Sequence, residues 1–225
     1  MSGAEDGMSV RWLGRVGFDR ALELQELHVR EHPERGDTIL LLEHDPVYTT
    51  SRRGKEENLP AAQHGAEVRR IGRGGDVTYH GPGQLVGYVL FDLRARGGDV
   101  HRFLRGMETG VIDLLRDLGV RGCRVEGRTG VWVPAAPGDR KGARKIASIG
   151  IGVRRGISMH GFALNVSTDL SAFEAIVPCD LAGVRMTSVA QETGSRPPAL
   201  EEIAQRAGPI LRAAFGPAAP ERLRA

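Results

Sequence analysis

Between Val100 and Leu118 a single apolar stripe constrains the fold more than any other stretch of this chain. Val100, Phe103, Leu104, Met107, Val111, Leu114, Leu115 and Leu118 fall on one face at helical spacing, and the opposite face is polar. Asp99 stands where an N-cap belongs and Gly119 where a helix stops. A helix of this kind holds its shape in water only by burying that stripe against another layer. The layer is supplied by β-leaning runs at Thr38–Leu42, Leu85–Leu93, Gly130–Val133, Lys145–Val153 and Ile157–Val166. Phe18–His32, with Pro33 just beyond it, reads as a second amphipathic helix, and Leu200–Phe215 as a last one broken or kinked at Gly208-Pro209. Thr187 is the candidate cap of a short helix containing Ala190 and Gln191. The strands group in the middle and the helices do not alternate with them, which predicts an α+β fold on a largely antiparallel or mixed sheet.

Composition sets few limits beyond these. The 225 residues suffice for one domain with its own core, without disulfide or metal. The net charge of +3 comes from interspersed cations and anions, so no nucleic-acid arm is expected; the small positive excess suits an acidic protein partner. No run reaches membrane-spanning length and the first residues lack a signal-type apolar core, so a cytoplasmic address is expected by elimination. Cys123 and Cys179 lack metal or disulfide-scaffold spacing and are expected to be free thiols. Lysine occurs only at 55, 141 and 145 in a chain that otherwise uses arginine. Lysine can give up its proton in a protein and arginine cannot, so each position raises a chemical question.

Four clusters carry chemistry. Arg73–Gln84 reads RGGDVTYHGPGQ, a glycine-rich segment whose backbone can approach a ligand closely and offer N–H groups to an oxyanion. Lys145–Gly150 reads KIASIG and His160–Asn165 reads HGFALN; alone, each fits an ordinary strand. In the fourth, Pro178 places Cys179 in a predicted turn, where a thiol is reachable.

In this order the clusters resemble the lipoyl(octanoyl) transferase family of lipoate biosynthesis, relatives of lipoate and biotin protein ligases. EHDPVYT at Glu43–Thr49, GRTGVWV at Gly127–Val133 and the Pro178-Cys179 pair support the resemblance, which spans roughly residues 10 to 215. It implies a single catalytic domain of the ligase type over 10–215, with 216–225 as a tail. It also implies that Cys179 takes an octanoyl group from acyl carrier protein as a thioester, with Lys145 as its partner in a Cys/Lys dyad. Arg73, Gly74, Gly75, Asp76, Val77, Thr78, Tyr79 and His80, with Ser148, Ile149, Gly150, Gly161, Phe162 and Ala163, are then the acyl pocket. The acceptors implied are lipoyl domains of 2-oxoacid dehydrogenase E2 subunits and the glycine cleavage H protein. No cofactor, no metal and a monomer are expected. The chain departs from the family at Asp180, where glycine usually follows the cysteine, and at Ser51, where glycine is common. The alternatives are an ATP-dependent ligase and an octanoyl amidotransferase of the same superfamily.

Overall fold

The computed structural model describes residues 8–52, 54–55, 58–59, 66–139, 142–176 and 184–216. Its centre is a seven-stranded mixed sheet. The strands are β1 (Met8–Arg15), β2 (Asp37–Glu43), β6 (Gln84–Leu90), β7 (Cys123–Val125), β8 (Arg128–Val133), β9 (Arg144–Arg154) and β10 (Ile157–Asn165), in the spatial order β1-β2-β6-β10-β9-β8-β7. Only β1 and β2 run parallel; every other neighbouring pair is antiparallel. A smaller sheet, ordered β4-β3-β5, is built from β3 (Val47–Ser51), β4 (Glu67–Ile71) and β5 (Thr78–His80).

The sheet is covered by the helices that the apolar stripes require. Helix α2 (Val100–Asp117) and helix α4 (Leu200–Phe215) lie on one face, where Phe103, Met107, Val111, Leu114, Leu115, Ile203, Ala207 and Leu211 join Ile39, Leu41, Leu85, Val89 and Leu164 in the main core. Each of the larger side chains contributes on the order of 1.5–3 kcal/mol by leaving water. Asp99 caps α2, its side chain accepting from the Arg102 N–H at 3.0 Å. Helix α1 (Phe18–Arg35) covers the other face, setting Ala21 and Leu24 over Leu40, Leu42, Val86, Tyr88 and Ala163.

Several expectations need correction. Helix α1 continues past Pro33 to Arg35, and the proline's disturbance is taken up at Glu31, whose φ of −106° and ψ of 15° leave the helical region. Helix α4 runs through Gly208-Pro209 as one element: Ile203, Ala204, Ala207 and Leu211 anchor both sides of the proline to the core. The short helix α3 (Val189–Thr193) is capped by Ser188, whose Oγ accepts from the Gln191 N–H; Thr187 instead donates its hydroxyl to Glu192 Oε1 at 2.6 Å. Strands β1, β3, β4, β5 and β7 fall outside the β-leaning runs of the sequence, and β3 is buried throughout.

Candidate active site

The glycine-rich segment folds as a loop seated on β9. The Gly74 N–H donates to the Ile151 carbonyl at 2.8 Å. The backbones approach so closely that a Cβ on Gly152 would stand 2.1 Å from the Gly72 carbonyl oxygen, and one on Gly150 would stand 3.0 Å from that of Gly74. The repeated glycines of KIASIGIG are therefore a seat for this loop. Beyond it β5 alternates: Thr78 and His80 turn toward β10 and β6, while Val77 and Tyr79 pack with Tyr48, Phe173 and Ile176.

A narrow cavity of about 40 Å³ lies between this loop and the main sheet. Arg73, Gly75, Thr78, His80, Ser148, Ile149, Gly150, Gly161, Phe162 and Ala163 line it, so residues from three sequence clusters meet there. Phe18, Ile71, Val86 and Tyr88, which lie outside the four clusters, complete the lining together with His160, the first residue of the third cluster. Period-two alternation along β6 could have found Val86 and Tyr88, which face away from α2 beside the core residues Leu85 and Val89. Of the expected pocket residues, Gly74, Asp76, Val77 and Tyr79 do not line the cavity. Asp76 instead ties the loop together, accepting from the Val77 N–H at 2.8 Å and Asn58 Nδ2 at 2.5 Å. Exposed Gly75 and half-exposed Arg73, Ile149 and Gly150 mark the mouth; buried Val86, Tyr88, His80 and His160 mark the floor.

The floor is polar but uncharged. Burial lowers the His80 pKa to about 3 and that of His160 to about 4, and it lowers that of His44 as well. The hydrogen bonds define the tautomers. Gln84 Nε2 donates to the Tyr79 carbonyl and to Asn165 Oδ1 (2.9 Å), so its Oε1 accepts from His80 Nδ1 at 2.8 Å. His80 Nε2 is then left to accept from Thr49 Oγ1 at 3.3 Å, and that hydroxyl in turn accepts from Arg73 Nη2 at 3.0 Å. His44 donates from Nδ1 to the Val16 carbonyl and accepts the Tyr88 hydroxyl at Nε2, both at 2.6 Å. Among the described lining residues Arg73 is the only cation, held at the mouth by this chain and by a 2.7 Å bond to the Thr49 carbonyl. The result is a slot with neutral walls and positive charge at its entrance.

Lys145 reaches this side of the sheet through a β-bulge. The pairing of β8 with β9 steps from Val131–Ala147 to Trp132–Lys145, so Ile146 is an extra residue on β9. Ile146 and Ala147 both sink into the core beneath α2, and Lys145 emerges opposite Trp132 on the face that carries Ser148 and Gly150. Lys145 is buried, 3% exposed, with Nζ 5.4 Å from the centre of the Trp132 ring. Its N–H donates to the Arg185 carbonyl and its carbonyl accepts from the Thr187 N–H, which joins β9 to 184–187. Arg144 reinforces that junction with two bonds to Glu192, at 2.8 and 2.9 Å. Cys123 pairs with Trp132 from the far side, half-buried, its thiol pKa raised by burial; the indole's strand thus separates it from Lys145. Cys179 and Asp180 lie outside the described residues.

Residues 18–209 match the family model for the lipoyl protein ligase A/B catalytic domain. The octanoyltransferase of Geotalea uraniireducens is 49% identical over 189 residues, covering 83% of this chain and 84% of its own. That of Acidobacterium capsulatum is 43% identical over 219 residues, covering 91% and 88%. Among solved structures, a lipoate-protein ligase A bound with ATP superposes with a TM-score of 0.70 at 19% identity, covering 95% of this chain and 88% of that one. A biotin protein ligase from Aquifex aeolicus, in complex with biotin and ATP, gives 0.58 at 12% identity, covering 92% and 70%. At these identities the superpositions establish the fold and leave the chemistry to the site.

Proposed function

The chain belongs to the lipoyl protein ligase A/B catalytic-domain family and is an acyltransferase of its octanoyltransferase branch, and from that premise we propose that Cys179 carries the octanoyl group between donor and acceptor. The donor in this reading is octanoyl-acyl carrier protein. The Cys179 thiolate attacks the thioester carbonyl, the tetrahedral adduct collapses and expels the carrier thiolate, which takes a proton from the Lys145 ammonium, and a new thioester remains on Cys179. The amine of a lipoyl-domain lysine then attacks that thioester. An amide forms, the Cys179 thiolate leaves, and the neutral Lys145 amine accepts the proton that the attacking nitrogen sheds. Acceptors of this kind are E2 lipoyl domains and the glycine cleavage H protein.

One observation carries this reading: a slot with an uncharged floor and a buried lysine share one face of β9. The slot suits a hydrocarbon chain, since Val86, Phe162, Ala163, Ile71 and Phe18 offer it no charge. The cavity has a volume of about 40 Å³. Each methylene buried there contributes about 0.8 kcal/mol. Arg73 at the mouth suits the anionic arm of a carrier protein. A thioester donor is already activated, so no nucleotide takes part. Transfer to a lipoyl domain is measured with octanoyl-acyl carrier protein alone, and separately with free octanoate and ATP. Product in the first mixture and none in the second is expected; the reverse would identify an ATP-dependent ligase.

A further inference from the structure

Trp132 lies directly across the β8–β9 pair from Lys145, and both are buried, at 1% and 3% exposure. Directly opposed residues of an antiparallel pair stand on the same face with their side chains in reach. Gly130, two residues earlier on β8, shares that face. The stem of Lys145 lies over it: a Cβ on Gly130 would come within 2.9 Å of Lys145 Cε and 2.6 Å of the Ala147 carbonyl. Gly130 also has a φ of +117°, which a side chain would strain. Its N–H donates to Oε1 of the buried Glu108 at 3.3 Å, fixing this part of β8 to α2. The lysine therefore runs along a groove left by a missing side chain and ends with its ammonium nitrogen near an indole face.

Among the described residues the indole contributes no hydrogen bond to this arrangement. Among the described residues Trp132 Nε1 is buried with no partner. A buried N–H of that kind is a burden that phenylalanine would not carry. What the ring offers here is its electron-rich face, which attracts a cation within about 6 Å of its centre. Lys145 Nζ stands at 5.4 Å, and the exposed Arg128 guanidinium at 5.6 Å from the same ring.

We propose that Trp132 is the positioning residue of Lys145, holding its ammonium group by a cation–π contact in the groove that Gly130 leaves open. The inference rests on the role given to Lys145 above. The grip matters in the stages of the cycle when Lys145 is protonated, because it returns the side chain to one place before each proton transfer. Misplacement of a proton-transfer group slows the chemical step without weakening substrate binding.

Fluorinated tryptophans inserted at position 132 test this, since successive fluorines withdraw density from the ring face while its shape stays nearly constant. The kcat for octanoyl transfer is expected to fall stepwise with each fluorine, roughly tenfold across a trifluorinated ring. KM for the acceptor domain should stay unchanged. Trp132→Phe should keep most of the activity that Trp132→Leu loses. A flat fluorine series would overturn the proposal whatever the leucine variant does. Lys145→Ala, assayed beside them, separates the two claims: full turnover in that variant refutes the role of Lys145 itself. An inactive alanine variant with a flat fluorine series would leave that role standing and remove Trp132 from it.

Discussion

Lys145 and Arg144 are adjacent basic residues in different settings, and the proposed mechanism gives them different tasks. Arg144 makes a two-pronged bond to Glu192, the geometry a planar guanidinium suits, and the Arg144 hydrogen bond holds the Glu192 carboxyl below its ordinary pKa. Lys145 is a compact amine, buried, and able to exchange a proton. Lys145→Arg should keep a positive charge at the site yet drop kcat at least a hundredfold, because a guanidinium cannot accept the proton shed by the acceptor amine. Steady-state turnover of the folded variant checks this, and near-normal turnover would remove the acid–base role. Lysine is scarce in this arginine-rich chain, which makes position 145 legible in the sequence. Nothing in the local pattern showed His80 to be neutral, because the donor order through Gln84 and Asn165 depends on side chains 81 residues apart.

At the scale of elements, close contact between β9 and the glycine loop sets where Arg73 and Gly75 stand. Gly152→Ala would drive a methyl group to 2.1 Å from the Gly72 carbonyl, so the loop must lift from the strand. Overpacking of this kind costs about 1–3 kcal/mol, to be read from denaturant midpoints, and KM for the acyl donor should rise with it. Unchanged stability and KM would mean that the loop is not seated as described. The core strands and α2 were legible because their apolar runs and stripe are long. Strand β3 was hidden by the neighbouring Pro46 and the charges around it, and β7 has only three residues. The bulge at Ile146 is illegible in principle: KIASIG reads as an ordinary alternation, and only the pairing with β8 shows that Lys145 and Ala147 face opposite sides.

For the molecule as a whole, buried histidines link stability to pH. His28 and His160 have pKa values near 4 and His80 near 3 in the folded protein, against about 6.5 when unfolded. Below about pH 6.5 the unfolded chain takes up protons that the folded one refuses, so folding stability is full above that pH. It should fall as pH drops through 6.5 toward 4 and 3, which thermal midpoints across that range would record. His80→Gln should flatten part of the slope, and an unchanged profile would contradict neutral burial of His80. Helices α2 and α4 on one side, with α1 and the small sheet on the other, leave the slot and Lys145 on the same side of the main sheet, and the acyl-transfer reading depends on that arrangement. The most direct test is intact-protein mass spectrometry after incubation with octanoyl-acyl carrier protein, without ATP or acceptor. One octanoyl increment on the wild type and on Cys123→Ser, absent from Cys179→Ala, is the predicted result. An increment that survives in Cys179→Ala would contradict the covalent mechanism.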